Sequence, residues 1–137
     1  TAVTASTVVT GDMTVRADLV AISHNHVWDA GVIESAYVLN EPPVTYKTAQ
    51  GETAFAPFTT TGEGVYFETF CPAEDGKGYI LRGYEGHNSE AEVTVKFNFP
   101  HKKAYVCDLT EKYLYDLPAD GTLTLKPFEI ITIKAEI

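Results

Sequence analysis

The sequence predicts an all-β protein, an antiparallel β-sandwich with one short helix. Short segments rich in apolar and β-branched residues recur roughly every 8–12 residues, with glycine, proline and aspartate turns between them, as in sandwiches and barrels. Several of these segments alternate apolar and polar residues, and only residues 29–40 carry a convincing helical repeat. The chain of 137 residues, of which 45% are hydrophobic, suffices for one domain with a sizeable core.

Residues 1–43 are predicted to contain two strands followed by the helix. The strands are residues 2–9 and 13–23, joined by a turn at Gly11-Asp12. The helix is predicted from Asp29 to Asn40, because its apolar residues recur at helical spacing and Asp29 can accept hydrogen bonds from the first free N–H groups. Two prolines follow Asn40 and end the helix, since proline cannot continue the hydrogen-bond ladder.

Residues 44–137 make up the predicted sandwich, which forms one compact unit with residues 1–43. A hairpin lies at its centre, where an Asp75-Gly76 turn leads into a strand at Gly78–Glu85. This strand is apolar on both faces, so we expect it inside a sheet and not at an edge. The predicted strands are residues 44–48, 53–58, 65–71, 78–85, 91–99, 104–109, 122–126 and 128–137.

Charge and hydropathy exclude two classes of partner. The chain has 10 basic and 19 acidic residues, for a net charge of −9. The acidity is spread evenly and no basic patch exists, which argues against nucleic acids and anionic membrane surfaces. No apolar run approaches the roughly 20 residues that a membrane helix needs.

No residue pattern indicates a catalytic, cofactor-binding or metal-binding site. His24 and His26 form a His-x-His pair, but two imidazoles leave a tetrahedral ion half-coordinated, so we expect hydrogen-bonding histidines there. We assign structural roles to His24 and Trp28. Cys71 and Cys107 lie in apolar strand contexts and are predicted to be small buried thiols.

One buried ion pair is predicted, between Arg82 and Glu129. Each of these charges lies among apolar residues of a predicted strand, where an unpaired charge is costly. Glu68 and Glu85 are the alternative partners of Arg82, and a further alternative is that the Arg82 side chain reaches solvent. The role of the pair would be to fix how the strands pack.

Three segments in this order resemble the C-terminal β region of the α-mannosidases of glycoside hydrolase family 38. The first is Ser-His-Asn-His-Val-Trp-Asp-Ala-Gly, followed by a helix that ends in Leu-Asn-Glu-Pro. The second is an acidic turn that runs into Tyr-Ile-Leu-Arg-Gly-Tyr-Glu. The third is Asp-Leu-Thr-Glu followed by a terminal Pro-Phe-Glu-Ile strand. These segments occupy residues 23–42, 72–85 and 108–130.

The resemblance implies a parent enzyme that removes terminal α-linked mannose with retention. In this family the zinc ligands, the nucleophile and the acid lie in an N-terminal α/β domain, so no catalytic residue transfers to this chain. The chain would then be a non-catalytic sandwich that packs on the catalytic region, with an apolar surface beside the helix Asp29–Asn40. The expected cofactor, a zinc-like divalent metal, belongs to the N-terminal domain of the parent.

The resemblance also leaves some expectations about partners open. The partner would be the remainder of the parent α-mannosidase, with a mannose-containing glycan as a second candidate, and the expected location is cytoplasmic. An independent carbohydrate-binding module would instead show aromatic residues in a flat strip on one face. A purely structural sandwich is the third alternative.

Overall fold

A computed structural model describes residues 31–41, 44 and 54–137, and the fold is given for these residues. The chain divides into two compact units, Thr1–Lys47 and Thr48–Ile137. The strands predicted within residues 2–23 and most of the one predicted at 44–48 lie outside the described residues. The predicted boundary between residues 43 and 44 therefore stays a prediction.

Helix α1 of the first unit comprises Val32–Asn40 and begins three residues later than predicted. Gly31, directly before it, has φ of 62°, a left-handed conformation that a right-handed helix does not contain. Asp29, the predicted cap, lies outside the described residues. The predicted end at Asn40 is confirmed, because the N–H of Glu41 makes the last helical bond and φ at Glu41 is −125°.

The exterior of α1 is partly apolar. No residue of the helix is fully buried, and Val38 is 72% exposed and Leu39 39% exposed. That these side chains border a docking surface, as the sequence predicts, stays a prediction. The helix is too short and too polar to span a membrane, and no other helix of the described residues could do so.

From residue 54 onward the second unit has eight strands in two antiparallel sheets, which confirms the predicted β-sandwich. A three-stranded sheet has the order β1-β4-β7, and a five-stranded sheet has the order β2-β3-β8-β5-β6. The strands are β1 Phe58–Thr61, β2 Val65–Pro72, β3 Gly78–Glu85, β4 Ala91–Phe97, β5 Lys103–Cys107, β6 Tyr113–Asp116, β7 Thr122–Leu125 and β8 Ile130–Glu136.

The core lies between the two sheets. Alternation along β3 and β8 directs one set of side chains toward the three-stranded sheet, and we call this the inner face of the five-stranded sheet. Burying each large aliphatic side chain of this set contributes about 1.5–3 kcal/mol. The most deeply buried members of the core are Leu81, Val93, Val95, Leu125, Ile133 and Ala135.

The opposite, outer face of the five-stranded sheet is also partly covered. Ala73, Ile80, Tyr105 and Cys107 form a second buried cluster there. The strand β3 therefore buries apolar residues on both faces and lies between β2 and β8, as its sequence predicted.

The β2–β3 hairpin turns through a loop longer than the two residues suggested by Asp75-Gly76. The N–H of Ala73 bonds the carbonyl oxygen of Gly78 at 2.9 Å, and the N–H of Gly76 bonds that of Ala73 at 2.9 Å. Only Gly76 has a positive φ, of 69°, so Asp75 does not use the left-handed conformation. The Asp75 carboxylate instead accepts the N–H of Lys77 at 3.0 Å.

Strand β2 contains a bulge. Phe67 lies opposite Gly83 and Thr69 lies opposite Arg82, so the intervening Glu68 is an extra residue in the ladder. The bulge brings both Phe67 and Phe70 against the core between the sheets, although they are three residues apart.

Several strand predictions are wrong in detail. The strands predicted at 91–99 and 104–109 end at Phe97 and Cys107. The strand predicted at 53–58 instead begins at Phe58, because the preceding Pro57 has no N–H to donate to the ladder. The last strand begins at Ile130 and not at residue 128, because Phe128 has φ of 58°. Strand β6 was missed, since all four of its residues are exposed and give no burial pattern.

Candidate functional site

Glu85, the last residue of β3, is a fully buried carboxylate. Its Oε1 accepts the N–H of His87 at 2.6 Å, and its Oε2 accepts the N–H of Phe128 at 2.9 Å. A buried carboxylate is costly unless its oxygens are hydrogen-bonded, and here backbone amides from two separate loops supply those bonds. We call this arrangement the Glu85 junction.

The ionised form of Glu85 is favoured despite its burial. Burial acts to raise the pKa of the carboxyl group, but the N–H groups of Phe128, His87, Ser89 and Asn88 together outweigh it, and the pKa lies below its usual value. The carboxylate is therefore negative at neutral pH. Its charge is held by fixed backbone dipoles and not by a cationic side chain.

The Glu85 junction fixes the shape of the loops that follow β3 and precede β8. Each loop contains one non-glycine residue with a positive φ, Asn88 at 57° and Phe128 at 58°. This conformation costs an L-residue roughly 1–2 kcal/mol, and asparagine tolerates it better than phenylalanine. The N–H of Glu85 also bonds the carbonyl oxygen of Glu129 at 2.9 Å, which adds a second connection to the Phe128 loop.

Aromatic side chains lie beside the junction. The Tyr66 hydroxyl and His87 Nε2 are 2.8 Å apart and share a hydrogen bond, and the rings of Tyr66 and Tyr84 are 5.7 Å apart. Tyr84 pairs directly with Ile130 across β3 and β8, so these side chains lie in one row on the outer face.

A second charged cluster lies further along the outer face, around Lys134 of β8. Its side chain is only 3% exposed, and its Nζ lies 2.9 Å from Asp75 Oδ1 and 3.5 Å from Glu111 Oε2. The Glu111 carboxylate also accepts the N–H of Glu74 through both oxygens, each at 3.1 Å. Lys134 thus contacts both the β2–β3 turn and the loop between β5 and β6. We call the cluster of Lys134, Asp75 and Glu111 the Lys134 bridge.

The charge of Lys134 is retained on burial. Burial acts to lower the pKa of its ammonium group, but the hydrogen bond with Asp75 and the nearby negative charges outweigh it, so the pKa is raised. The same bond, together with the N–H of Lys77, lowers the pKa of Asp75. An open cavity of about 260 Å³ lies beside these groups, lined by Glu74, Asp75, Thr110, Glu111 and Lys134.

Neither charged cluster has the composition of a metal site. The Glu85 junction contributes one carboxylate with both oxygens engaged by amides, and the Lys134 bridge places an ammonium group among its acids. Across the part of the chain that the structure describes, no group of three His, Cys, Asp or Glu side chains could hold a metal ion. Both arrangements position loops.

The comparison with known protein families connects this sandwich to one family. The sequence profile described as "Glycosyl hydrolases family 38 C-terminal beta sandwich domain" matches residues 64–133, from the turn before β2 into β8. That range is about half of the chain and contains the Glu85 junction. The chain belongs to this family.

Two curated relatives of this family 38 chain carry the same name. It is 30% identical to Alpha-mannosidase 2C1 of Homo sapiens over 115 residues, which are 77% of this chain and 11% of the relative. It is 33% identical to Alpha-mannosidase 2C1 of Mus musculus over 90 residues, which are 61% of this chain and 9% of the relative. The chain thus spans about a tenth of the length of these relatives.

The predicted ion pair of this family 38 domain is wrong. Arg82 lies on the outer face, where its Nε donates to Oγ1 of Thr132, its partner across the sheet, at 3.2 Å. Glu129 is exposed, and its carboxylate accepts the N–H of Lys126 at 2.7 Å. The error arose because Arg82 points away from the inner face that Ile131 and Ile133 occupy.

Of the alternative partners of Arg82, Glu85 is engaged elsewhere. Its carboxylate oxygens accept backbone N–H groups. The prediction for Glu68 stays a prediction. Arg82 is half-buried. The packing role assigned to Arg82 and Glu129 therefore stays a prediction without the ion pair that motivated it.

The other residues singled out from the sequence have mixed outcomes. His24, His26 and Trp28 lie outside the described residues, so their structural roles stay predictions. Cys107 is buried as predicted, and its Sγ lies 3.6 Å from the carbonyl oxygen of Thr132. Cys71 is exposed and both thiols are free, so the prediction that Cys71 is buried is wrong.

Sequence reasoning missed the residues that hold this family 38 sandwich together at its loops. Glu85 was considered only as a partner of Arg82, and Lys134 and Glu111 were not singled out. One available signal was the run Ile-Ile-Thr-Ile-Lys-Ala in the last strand, which places a lysine in a segment buried on both faces. A lysine in such a strand needs an acidic partner, and the turn acids were the candidates.

Proposed function

We propose that this chain is the non-catalytic C-terminal sandwich of a metal-dependent, retaining α-mannosidase that hydrolyses terminal α-linked mannose. In this proposal the chain packs on the catalytic region of the parent enzyme and supports it. The divalent metal, the nucleophile and the acid belong to the N-terminal domain of the parent, and the parent enzyme is cytoplasmic.

The family match carries this proposal. It covers residues 64–133 and is specific for the C-terminal sandwich of family 38, and both curated relatives are named as α-mannosidases. The relatives are far longer than this chain, which leaves ample sequence for a separate catalytic domain. The Glu85 junction and the Lys134 bridge support a structural role, because their charged groups hold loops through bonds within the sandwich.

The exposed tyrosines of β6 do not favour the alternative of a carbohydrate-binding module. Tyr113 and Tyr115 are neighbours on β6, but Tyr113 pairs with Cys107 and Tyr115 pairs with Val106. Cys107 lies in the outer cluster and Val106 in the inner core, so the two rings face opposite sides of the sheet. They do not form the flat strip that stacks on sugar rings.

Hydrolysis of an aryl α-mannoside tests the proposal. The chain alone should show no turnover, with or without added zinc or cobalt, whereas the full-length parent should hydrolyse the substrate and release α-mannose first. A chelator should abolish the activity of the parent and added metal should restore it. Turnover that rises in proportion to the concentration of the chain alone would refute the non-catalytic role.

Removal of the sandwich from the parent tests the supporting role. We expect the truncated parent to lose activity or to inactivate at a lower temperature, because its docking surface is exposed to solvent. A truncated parent with unchanged activity and unchanged thermal inactivation would contradict this part of the proposal.

A further inference from the structure

Apolar side chains remain exposed at one end of the five-stranded sheet. Five of them are 54–61% exposed, and they come from the edge strand β6, the loop before it, and the start of β8. Apolar residues are common on protein surfaces, but a contiguous group of large ones marks an interaction site more often than a scattered set does. We call this group the β6-end surface, and it consists of Leu109, Tyr113, Leu114, Phe128 and Ile130.

The strand register shows that these residues lie at the same end of the sheet. Cys107, the last residue of β5, lies opposite Tyr113 on one side and opposite Thr132 on the other. Leu109 follows Cys107 by two residues, and Ile130 precedes Thr132 by two residues. All of these positions therefore meet where β5 ends and where β6 and β8 begin.

An electrostatic contact supports this placement. The pKa of the Tyr115 hydroxyl is raised by burial and then by the negative charge of Glu129. Glu129 directly precedes β8, so this influence agrees with the strand register, which places the start of β8 and the start of β6 at the same end of the sheet.

Phe128 is the unusual member of the β6-end surface. It has a left-handed backbone conformation with φ of 58°, its N–H is held by the buried carboxylate of Glu85, and its side chain is 56% exposed. A large aromatic residue in that conformation is strained, and more than half of this ring is accessible to a partner. Strained residues that the surrounding structure fixes firmly are concentrated at functional positions.

We infer that the β6-end surface docks on the part of the parent α-mannosidase chain that lies outside these 137 residues. This inference rests on the proposed function and names the surface that performs it. The length of the curated relatives supports this occupant, because about nine-tenths of each lies outside its match to this chain. Among the described strands β6 lies at the edge of its sheet, and an edge strand can pair with a partner segment.

Two other occupants fit the surface less well. A second copy of the chain would bring together two molecules that each carry a net charge of −9, which opposes association. A glycan would need several hydrogen-bonding groups, whereas Tyr113 is the one side chain among the five of the β6-end surface that has a polar group. An apolar protein surface is the occupant that matches these side chains.

Photo-crosslinking in the full-length parent tests the inference without using activity as its readout. A benzoylphenylalanine probe replaces Leu114 on the β6-end surface, and the same probe replaces Glu92, an exposed residue of the three-stranded sheet, as the control. After irradiation and proteolysis, we expect the probe at 114 to form links with peptides of the same chain outside these 137 residues. The probe at 92 should form few or none.

Three outcomes of the crosslinking experiment would overturn the inference. Links at positions 114 and 92 in equal yield would mean that the β6-end surface is not special. Links between isotopically heavy and light molecules in a mixed sample would identify a second copy as the occupant. A complete absence of links at 114 would mean that no partner segment covers the surface.

Serine substitutions measure how much the contact contributes. In the full-length parent, Leu114→Ser and Ile130→Ser should each shorten the half-life of activity at elevated temperature by about tenfold, as loss of a central interface residue does. Phe55→Ser is the control, because Phe55 is an exposed apolar residue outside the β6-end surface. This variant should leave the half-life of activity unchanged. Equal half-lives for all three variants would contradict the inference.

The two sets of experiments separate failure of this inference from failure of the proposed function. If the unsubstituted parent hydrolyses no α-mannoside, the proposed function is wrong, whatever the crosslinks show. If the parent is an active α-mannosidase that needs the sandwich but the probe at 114 finds no partner, only the choice of surface is wrong.

Discussion

At the scale of single residues, Glu85 shows how a buried charge can determine the shape of two loops. The carboxylate loses its hydration when the chain folds, and the backbone amides of His87 and Phe128 offset that loss. Because those amides belong to segments about 40 residues apart in sequence, one side chain sets the relative position of two loops. The same bond fixes Phe128 on the β6-end surface.

Replacement of Glu85 by glutamine should destabilise the chain. Glu85→Gln retains the volume but replaces one acceptor oxygen with an NH₂ donor that faces a backbone N–H. A buried amide left without an acceptor costs about 1–3 kcal/mol of unfolding free energy, which urea denaturation at pH 7 would measure. Glu92→Gln, at an exposed position of β4, is the control and should change it by less than about 0.5 kcal/mol.

The effect of Glu85→Gln should depend on pH. The pKa of Glu85 is lower in the folded chain than its ordinary value of 4.5, so its stabilising contribution is complete above pH 4.5. The contribution is lost as the pH falls through the folded pKa, where the carboxylate becomes protonated. The difference in unfolding free energy between wild type and variant should therefore shrink below pH 4.5, and a difference that grew in acid would contradict this account.

The two cysteines should differ sharply in reactivity. Burial raises the pKa of the Cys107 thiol to about 11, whereas Cys71 is exposed on β2. Since the thiolate is the reactive form, a thiol reagent at pH 8 should modify one cysteine quickly and the other only on unfolding. The fast phase should disappear in Cys71→Ser and persist in Cys107→Ser, and the opposite result would show that the buried thiol is the accessible one.

At the scale of secondary-structure elements, the Lys134 bridge joins three parts of the chain that are distant in sequence. Lys134 lies in the last strand, Asp75 in the β2–β3 turn and Glu111 in the loop between β5 and β6. The ammonium group is the buried member of the cluster, and the acids are partly exposed. Replacement of one of the acids should therefore destabilise the fold more than replacement of Lys134. Without an acid, the buried ammonium group keeps its charge but loses one of its two ion-pair partners.

A double-mutant cycle tests this asymmetry. Asp75→Ala should lower the unfolding free energy, because it removes a partner of the buried ammonium group. Lys134→Met, which keeps the volume without the charge, should change it by less than about 1 kcal/mol. In the double variant Asp75→Ala should cause no further loss of unfolding free energy beyond that of Lys134→Met. The control is Lys126→Met, at an exposed lysine. Additive effects of the two substitutions would show that the bridge does not couple them.

Element types were predictable where burial gives a clear pattern. Both ends of β3 agree with the prediction. The apolar residues of this strand follow turn residues and Gly78 and are followed by an acid, Glu85. Strand β6 could not be predicted, since an exposed edge strand has no alternation to detect. The starts of β1 and β8 were misplaced by local backbone effects, namely Pro57 and the positive φ of Phe128.

The charged clusters were less predictable than the fold. The apolar contexts of Arg82 and Glu129 correctly indicated strands but not which face each side chain occupies. Glu85 binds the N–H of Phe128, 43 residues away in sequence, and Lys134 binds Glu111, 23 residues away, and both partners lie on loops whose conformation depends on the finished fold. Such pairings follow from sheet order, which the sequence pattern of one chain does not specify.

At the scale of the whole molecule, the net negative charge opposes association between copies of the chain, whereas the apolar β6-end surface favours it. The net charge of −9 keeps copies apart at neutral pH, and the isoelectric point is about 4.7. As repulsion disappears near that pH, exposed apolar residues should control association. If the proposed function holds, the charge opposes association between copies at neutral pH, and the β6-end surface serves contact with the parent.

Turbidity measured from pH 7 to pH 4 tests this balance. We expect a solubility minimum of the chain near pH 4.7, and a lower turbidity at that pH for the variant Leu114→Ser/Ile130→Ser. Phe55→Ser is the matched control outside the β6-end surface. Equal turbidity of the double variant and the wild type would show that other parts of the surface drive association.

The bulge at Glu68 determines where the length of this domain can change. Removal of Glu68 would leave a regular strand in which Phe67 and Phe70 still face inward, because the bulge is the residue in excess. If a neighbouring residue were removed and the bulge retained, the pairing register of one half of β2 would shift by one residue. The side chains of that half that now face the core would then face solvent, and the reverse. Between members of the family, single-residue insertions and deletions in this strand should therefore be confined to this position.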